Sequence, residues 1–173
     1  MQLESDRLLF KKITHSEFSA YARWYMNDEV MKYITGRALT LEETKLRFAK
    51  AMETNEKYPE LGLFSVKSKQ HQRFIGIAKL VYLNEYQAEV GYGMMPEYWG
   101  KGYASEILKT IINYAESALH VSELVAIVDP QNQASKKVLA KQHFHFLSKG
   151  SENTKPTEHF RLLLPVKSHS NNV

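Results

Sequence analysis

Two glycines separated by one residue, Gly100 and Gly102, stand between a strand-like segment and an amphipathic helical pattern. Glycine lets the backbone approach a ligand closely, and the first turn of a helix offers free N–H groups and the positive end of its dipole. The segment lacks the G-x-x-x-x-G-K-[ST] spacing of a P-loop and the third glycine of a dinucleotide fingerprint. The spacing therefore predicts a pyrophosphate site without a metal, although a glycine-rich turn that merely joins a strand to a helix has the same composition.

The segments before this loop combine helical and strand patterns. Thr14-x-x-Glu17 and Thr40-x-x-Glu43 both have capping-box spacing, and each predicts the start of a helix. Between residues 61 and 95 the apolar residues recur with the period of strands, in three runs separated by polar turns. These runs, at residues 63–66, 74–78 and 89–94, predict an antiparallel meander.

The segments after the loop continue the alternation. Residues 103–116 have the apolar stripe that a helix packed on a sheet requires. Residues 124–128 predict a buried strand, Asn132 is placed to cap a helix that reaches about His143, and strands are predicted at 144–147 and 160–166. We therefore expect a mixed α/β fold in one domain, residues 1–167, followed by a polar tail at 168–173.

The composition restricts the class of protein. A chain of 173 residues with 43% hydrophobic residues can close one core, and the absence of Cys excludes disulfides, thiolate metal sites and a Cys nucleophile. No signal peptide or long apolar run is found, so we expect a cytoplasmic protein with no membrane partner. The net charge of +4 is spread among acidic residues, which argues against direct nucleic-acid binding and is compatible with an anionic small ligand.

The glycine loop and four other segments resemble one family. Pro96-Glu97-Tyr98-Trp99-Gly100-Lys101-Gly102-Tyr103-Ala104-Ser105-Glu106 is similar to the acetyl-CoA loop of the GNAT acetyltransferase superfamily, and Trp99 is typical of its RimJ/RimL-type protein N-acetyltransferase branch. The other matching segments are Arg7-Leu8-Leu9-Phe10, Asn27-Asp28-Glu29-Val30-Met31-Lys32-Tyr33, Phe74-Ile75-Gly76 and Asn132-Gln133-Ala134-Ser135-Lys136-Lys137-Val138-Leu139. The chain departs from the pattern at Ala140 and His143, where the branch usually has Glu and Gly, and at Leu139, where many members have Tyr.

The resemblance implies a fold and a cosubstrate. The implied fold is a twisted, mostly antiparallel sheet with helices on both faces and a cofactor cleft between two splayed central strands. The implied cosubstrate is acetyl-CoA, without a metal, with its pantetheine arm along the end of the strand before the loop and its pyrophosphate on the loop. The implied cofactor-binding residues are Gly93, Met94, Met95, Trp99, Gly100, Lys101, Gly102, Tyr103, Ala104, Ser105, Asn132 and Lys137.

The implied reaction is the attack of a primary amine on a thioester, which requires an acceptor for the amine proton and a group that stabilises the leaving thiolate. Glu89 is the candidate base, and an exposed strand carboxylate is the alternative interpretation. Strand alternation places Glu89 on the face opposite Val90 and Tyr92, so its direction depends on whether the strand bulges. Ser135 is the candidate donor to the thiolate, although Ser135 and Asn132 have the alternative role of capping a helix.

Two further patterns carry less information. His143 and His145 would share one face of a strand, as metal ligands can, but no third ligand lies at a suitable spacing and no metal is predicted. Lys101, Lys137 and Lys141 are either point charges for the cofactor phosphates or solvated surface residues.

The resemblance favours an N-acetyltransferase whose acceptor is a protein N-terminal amine, such as that of a ribosomal protein. A small-molecule amine acceptor (polyamine, amino acid or aminoglycoside) stays open, because specificity would come from variable segments at 25–37 and 150–158. Two other classes also stay open: a catalytically silent acyl-CoA-binding regulatory domain, and a nucleic-acid or ribosome-associated adaptor. The oligomeric state expected is a monomer or a homodimer.

Overall fold

The computed structural model describes residues 2–165 as one sheet with helices on both faces. The strands are β1 (Gln2–Glu4), β2 (Leu8–Lys12), β3 (Gly62–Ser68), β4 (Phe74–Tyr82), β5 (Gln87–Met94), β6 (Glu123–Val128), β7 (His145–Glu152) and β8 (Lys155–Leu163). The helices are α1 (Phe18–Tyr25), α2 (Asp28–Met31), α3 (Leu41–Lys57), α4 (Tyr103–Ala118) and α5 (Gln133–Lys141), with 3₁₀ turns at His15–Glu17 and Pro96–Tyr98.

The strand order is β1-β2-β3-β4-β5-β6-β8-β7. All neighbouring strands pair antiparallel except β5 and β6, which are parallel and are joined by the crossover helix α4. The predicted single α/β domain with a mostly antiparallel sheet is confirmed.

Each face of the sheet has its own apolar core. On one face, α4 buries the stripe predicted from its period, which consists of Ile107, Leu108, Ile111, Ile112 and Ala115. On the other face, α1 and α3 pack through aromatic rings, and the rings of Tyr21 and Phe48 are 5.0 Å apart at their centroids.

Both predicted capping boxes form. In α3, the backbone N–H of Thr40 donates to the Glu43 carboxylate at 2.8 Å, and the Glu43 N–H donates back to the Thr40 hydroxyl at 3.2 Å. The box formed by Thr14 and Glu17 begins the 3₁₀ turn that leads into α1. These local patterns fix the start of each helix because they satisfy N–H groups that have no partner within the helix.

The C-terminal third differs in detail from the expectation. Helix α5 ends at Lys141, close to the predicted end near His143, and His143 takes a left-handed conformation with φ of 63° before β7 begins at His145, so the two histidines do not share one face of a strand. Strand β7 continues to Glu152 instead of ending at 147, because Asn153 and Thr154 both have positive φ and form the tight turn of a hairpin with β8. The predicted tail at 168–173 lies outside the described residues.

Candidate active site

The one parallel pair of strands separates halfway along its length. Strands β5 and β6 are paired from Gln87 and Glu123 to Val90 and Ala126. Beyond this point β5 continues beside β4, whereas β6 continues beside β8. A gap therefore opens in the middle of the sheet, as the resemblance implied for a cofactor cleft.

The backbone of β5 offers hydrogen-bonding groups to this gap. The N–H of Met95 donates to the Ile75 carbonyl at 2.8 Å, so in an antiparallel ladder Met95 and Gly93 bond towards β4. The alternating residues, Tyr92 and Met94, consequently direct their N–H and C=O groups into the gap. Gly93, Met94 and Met95 were predicted to bind the pantetheine arm through their backbones. Only Met94 of the three directs its backbone groups into the gap, and Tyr92, which was not predicted, does so as well.

Trp99 and Gly93 make contacts at the C-terminal end of β5. The indole N–H of Trp99 donates to the Met94 carbonyl at 2.9 Å, which holds the start of the glycine loop against the gap. A Cβ atom on Gly93 would lie 2.4 Å from Cζ2 of Trp24 in α1, so only glycine permits the indole of Trp24 to lie on the strand.

The glycine loop between Trp99 and α4 leaves its backbone open at the start of the helix. Gly100 and Gly102 both take left-handed conformations, with φ of 71° and 78°, and Gly102 is the N-cap of α4 without any side-chain cap. No atom lies within 4 Å of the position a Cβ would take on Gly100, so the loop surface is open there. Free N–H groups of the first turn, which contains Tyr103, Ala104 and Ser105, face this surface. Lys101 instead donates from Nζ to the Glu97 carbonyl at 2.8 Å.

Arg7, which the sequence did not single out as a site residue, fastens this loop to the start of the sheet. Its guanidinium pairs with the Glu106 carboxylate at 2.7 Å, donates from Nη1 to the Lys101 carbonyl at 3.0 Å, and lies 4.2 Å from the centre of the Tyr103 ring. Burial acts to raise the pKa of Glu106, but hydrogen bonds from Ser5 and Arg7 outweigh it and lower the pKa. Glu106 therefore stays ionised and holds Arg7 in place.

A cavity of about 450 Å³ passes through the gap and joins the two faces of the sheet. Its walls are the ends of β5 and β6, helix α1, the segment between α2 and α3, and the tip of the β7–β8 hairpin. Both segments that we expected to set acceptor specificity, 25–37 and 150–158, contribute to its lining. The glycine loop lies outside this cavity, on the α4 side.

Two hydroxyl groups meet at the α5 side of the cavity. The hydroxyl groups of Tyr92 and Ser135 are 3.2 Å apart, and Asn132 caps α5 by accepting the Ser135 N–H at 3.1 Å. Burial raises the pKa of Tyr92, and the hydrogen bond to Ser135 offsets part of this rise, so the phenol keeps its proton at neutral pH. Lys137, further along α5, is exposed.

Glu89 reaches the cavity from the opposite face. The register between β4 and β5 is continuous, so no bulge turns Glu89, and its side chain lies on the α1–α3 side, away from Tyr92. There it forms an ion pair with Lys79 of β4 through Oε1, and 16% of its side chain is exposed. Lys79 was missed from the sequence, because its proximity to Glu89 depends on strand pairing.

Two negative findings concern the described residues. Within residues 2–165, no group of three or more His, Asp or Glu side chains is arranged to hold a metal ion. Over the same range, no helix is both long and apolar enough to cross a bilayer.

Comparison with known proteins gives consistent matches. Residues 7–145 match a family model described as an acetyltransferase (GNAT) domain. The uncharacterized N-acetyltransferase YoaA of Bacillus subtilis is 30% identical over 159 residues, which cover 82% of this chain and 81% of that protein.

Two solved structures share the fold at lower identity. The ribosomal L7/L12 alpha-N-protein acetyltransferase RimL, in complex with coenzyme A, is 14% identical with a TM-score of 0.79 and covers 95% of this chain and 98% of its own. Spermidine N-acetyltransferase from Vibrio cholerae, in complex with CoA and spermine, is 17% identical with a TM-score of 0.76 and covers 92% of this chain and 96% of its own. At these identities the two structures establish the fold and leave the acceptor open.

Proposed function

The chain belongs to the GNAT acetyltransferase family, and from that premise we propose that it transfers the acetyl group of acetyl-CoA to the α-amine of a peptide or protein N-terminus. The observation that carries the proposal is the gap between β5 and β6. Beyond Val90 and Ala126 this gap is part of a cavity of about 450 Å³ that is lined from both faces of the sheet, and the glycine loop follows the end of β5 on the α4 side.

The residues around the gap fit the parts of acetyl-CoA. The open surface at Gly100 and the free N–H groups of the first turn of α4 suit a pyrophosphate. The backbone groups of Tyr92 and Met94 suit the amides of a pantetheine arm, which would add to β5 in the place that β6 leaves. When bound, acetyl-CoA supplies an acetyl group activated as a thioester.

Hydroxyl donors on the α5 side suit the leaving sulfur. As the amide C–N bond forms and the C–S bond breaks, negative charge collects on sulfur, and Ser135 and Tyr92 are placed to donate hydrogen bonds to it. The raised pKa of Tyr92 argues for hydrogen bonding over full proton transfer, because an alkyl thiol such as that of Cys titrates near about 8.5. Ser135, an alkyl alcohol and so a weaker acid than a phenol, likewise donates a hydrogen bond, and the thiolate takes its proton from solvent.

Glu89 is the group that would accept the proton of the amine. Its Oε1 is engaged by Lys79, which leaves Oε2 for a proton of the incoming ammonium group. Because Glu89 and the hydroxyl pair lie on opposite faces of the sheet, the amine and the sulfur approach the acetyl carbon from opposite sides of the gap. This separation keeps the proton acceptor away from the group that stabilises the thiolate.

An acceptor screen tests the proposal. Purified protein is incubated with acetyl-CoA and a set of peptides, amino acids and polyamines, and the free thiol of coenzyme A is measured. We expect turnover with peptide amines that falls about a hundredfold in Ser135→Ala, whereas Ser148→Ala, which alters an exposed serine on β7, leaves it unchanged. Absence of thiol release with every amine would contradict the proposal.

A further inference from the structure

One buried hydrogen-bond donor at the acceptor cavity has no partner. Among residues 2–165, three buried side-chain polar atoms lack a hydrogen bond: Nε1 of Trp24, Oγ of Ser65 and Oε1 of Glu123. Trp24 alone of the three lines the cavity. Only 4% of Trp24 is exposed, so water offers its N–H little compensation for the missing bond.

The position of this donor is set by Gly93. Cε2 of Trp24, the ring carbon bonded to Nε1, is 3.3 Å from the place a Cβ would take on Gly93, and Cζ2 is closer still. Nε1 is bonded to Cε2, so it lies two bonds from Cζ2, the indole atom that meets β5 at Gly93. Gly93 lies three residues beyond Val90, where the pairing of β5 with β6 ends, so the indole borders the part of β5 that faces the gap.

The charged groups of the cavity favour the same kind of acceptor. Three of its carboxylates already form ion pairs: Glu43 with Arg37 at 2.6 Å, Asp129 with Lys155 at 3.4 Å, and Glu89 with Lys79. Within the described part of the chain, Glu152 at the exposed hairpin tip is the one lining carboxylate without an ion pair. A polyamine, which needs a carboxylate for each ammonium group, finds few such partners here.

In contrast to these carboxylates, one cation at the cavity has no ion-pair partner in the described part of the chain. Arg47 lines the cavity with its guanidinium 5.7 Å from the centre of the Tyr25 ring, and no carboxylate among residues 2–165 forms an ion pair with it. The cavity thus holds one buried donor without a partner, the indole N–H of Trp24, and one exposed cation, the guanidinium of Arg47. Oxygen atoms on the acceptor molecule are the groups that would satisfy them.

We propose that Trp24 is a specificity-determining residue, whose indole N–H binds a carbonyl or carboxylate oxygen adjacent to the reactive amine. The inference rests on the proposed function and names the residue that would recognise its substrate class. The enzyme selects amines that carry such an oxygen, as peptide N-termini and α-amino acids do, over polyamines and simple alkylamines.

A matched pair of acceptors isolates this oxygen. Alaninamide and isopropylamine differ by a carboxamide in place of a methyl group beside the amine. With kcat/KM referred to the neutral amine, because alaninamide is less basic than isopropylamine, we expect the parent enzyme to favour alaninamide by about tenfold or more, the contribution of one hydrogen bond. Trp24→Phe should lower kcat/KM for alaninamide by about tenfold and leave that for isopropylamine within about twofold.

A second variant separates the lost N–H from the lost ring volume. Site-specific replacement of the Trp24 indole by benzothiophene keeps both rings and exchanges the N–H for sulfur, and it should reproduce the acceptor-dependent loss. Equal losses with both acceptors in both variants, or a parent enzyme that prefers spermidine to alaninamide, would overturn the inference while acetyl transfer itself stands. A parent enzyme that acetylates no amine would instead refute the proposed function, and this inference with it.

Discussion

Replacing Gly102 by valine should abolish tight binding of coenzyme A while preserving the fold. Gly102 has φ of 78° and ψ of 1°, a left-handed conformation that costs a residue with a side chain about 1–2 kcal/mol. Crowding adds little, because the nearest atom to the new Cβ is Nη2 of Arg7 at 3.6 Å. For a chain of this size, 1 kcal/mol changes the melting temperature by roughly 2–4 °C. We therefore expect the Gly102→Val protein to melt about 2–8 °C lower.

The effect on the ligand should be larger. The loop presents its N–H groups only while Gly102 keeps its conformation, and hydrogen bonds to charged groups contribute about 1.5–3 kcal/mol each. Losing two of them lowers the affinity for coenzyme A by about a hundredfold or more. Isothermal titration calorimetry measures this affinity, and a melting curve measures the stability of the same protein.

Gly36 provides the matched control. Its φ of 88° is also left-handed, the nearest atom to a Cβ would be Nζ of Lys155 at 3.5 Å, and it lies on the acceptor side of the molecule. Gly36→Val should lose a similar amount of stability and bind coenzyme A within about twofold of the parent. If Gly102→Val binds coenzyme A as tightly as Gly36→Val does, the glycine loop is not the pyrophosphate site.

Four other predictions concern single residues. Ser135→Ala should lower kcat by about a hundredfold with little change in coenzyme A affinity. An unaltered kcat would mean that Ser135 only supports the N-terminal cap of α5. Glu89→Gln should lower kcat with each of two acceptors of different basicity, and rates that match the parent's for both would show that Glu89 is structural. His143→Gly should raise the melting temperature by roughly 2–4 °C, because His143 occupies the left-handed position after α5 that glycine takes without strain, and a lower melting temperature would contradict this. The lowered pKa of Glu106 stabilises the fold fully above its ordinary value of 4.5, and this contribution is lost as the pH falls through the lowered pKa. The melting temperatures of the parent and Glu106→Gln should therefore differ at neutral pH and converge in acid. A difference that does not change with pH would contradict a stabilising role for the ionised Glu106–Arg7 pair.

Local patterns in the sequence were sufficient for much of the fold. The capping boxes at Thr14 and Thr40 and the stripe of α4 depend on residues three or four positions apart, and each forms as predicted. Gly100 and Gly102 were predicted to stand between a strand and a helix, and both take left-handed conformations immediately before α4, whereas their role as a pyrophosphate site stays a prediction.

Contacts that join distant segments were not predictable in the same way. Arg7 and Glu106 are 99 residues apart, and the pairing of Lys79 with Glu89 follows only from the register of β4 and β5. The direction of Glu89 was left open for the same reason, since a single bulge would have reversed it. The extension of β7 was missed because Asn153 and Thr154 form a tight turn without the glycine that usually indicates one.

The central claim is that an acetyl group passes from acetyl-CoA to an amine that lies beside a carbonyl oxygen. The most direct test is tandem mass spectrometry of a peptide with a free N-terminus and one internal lysine, after incubation with the enzyme and deuterium-labelled acetyl-CoA. We predict one labelled acetyl group on the α-amine and none on the lysine side chain, whose amine has no neighbouring carbonyl. An unlabelled peptide, or label on the lysine alone, would contradict the account.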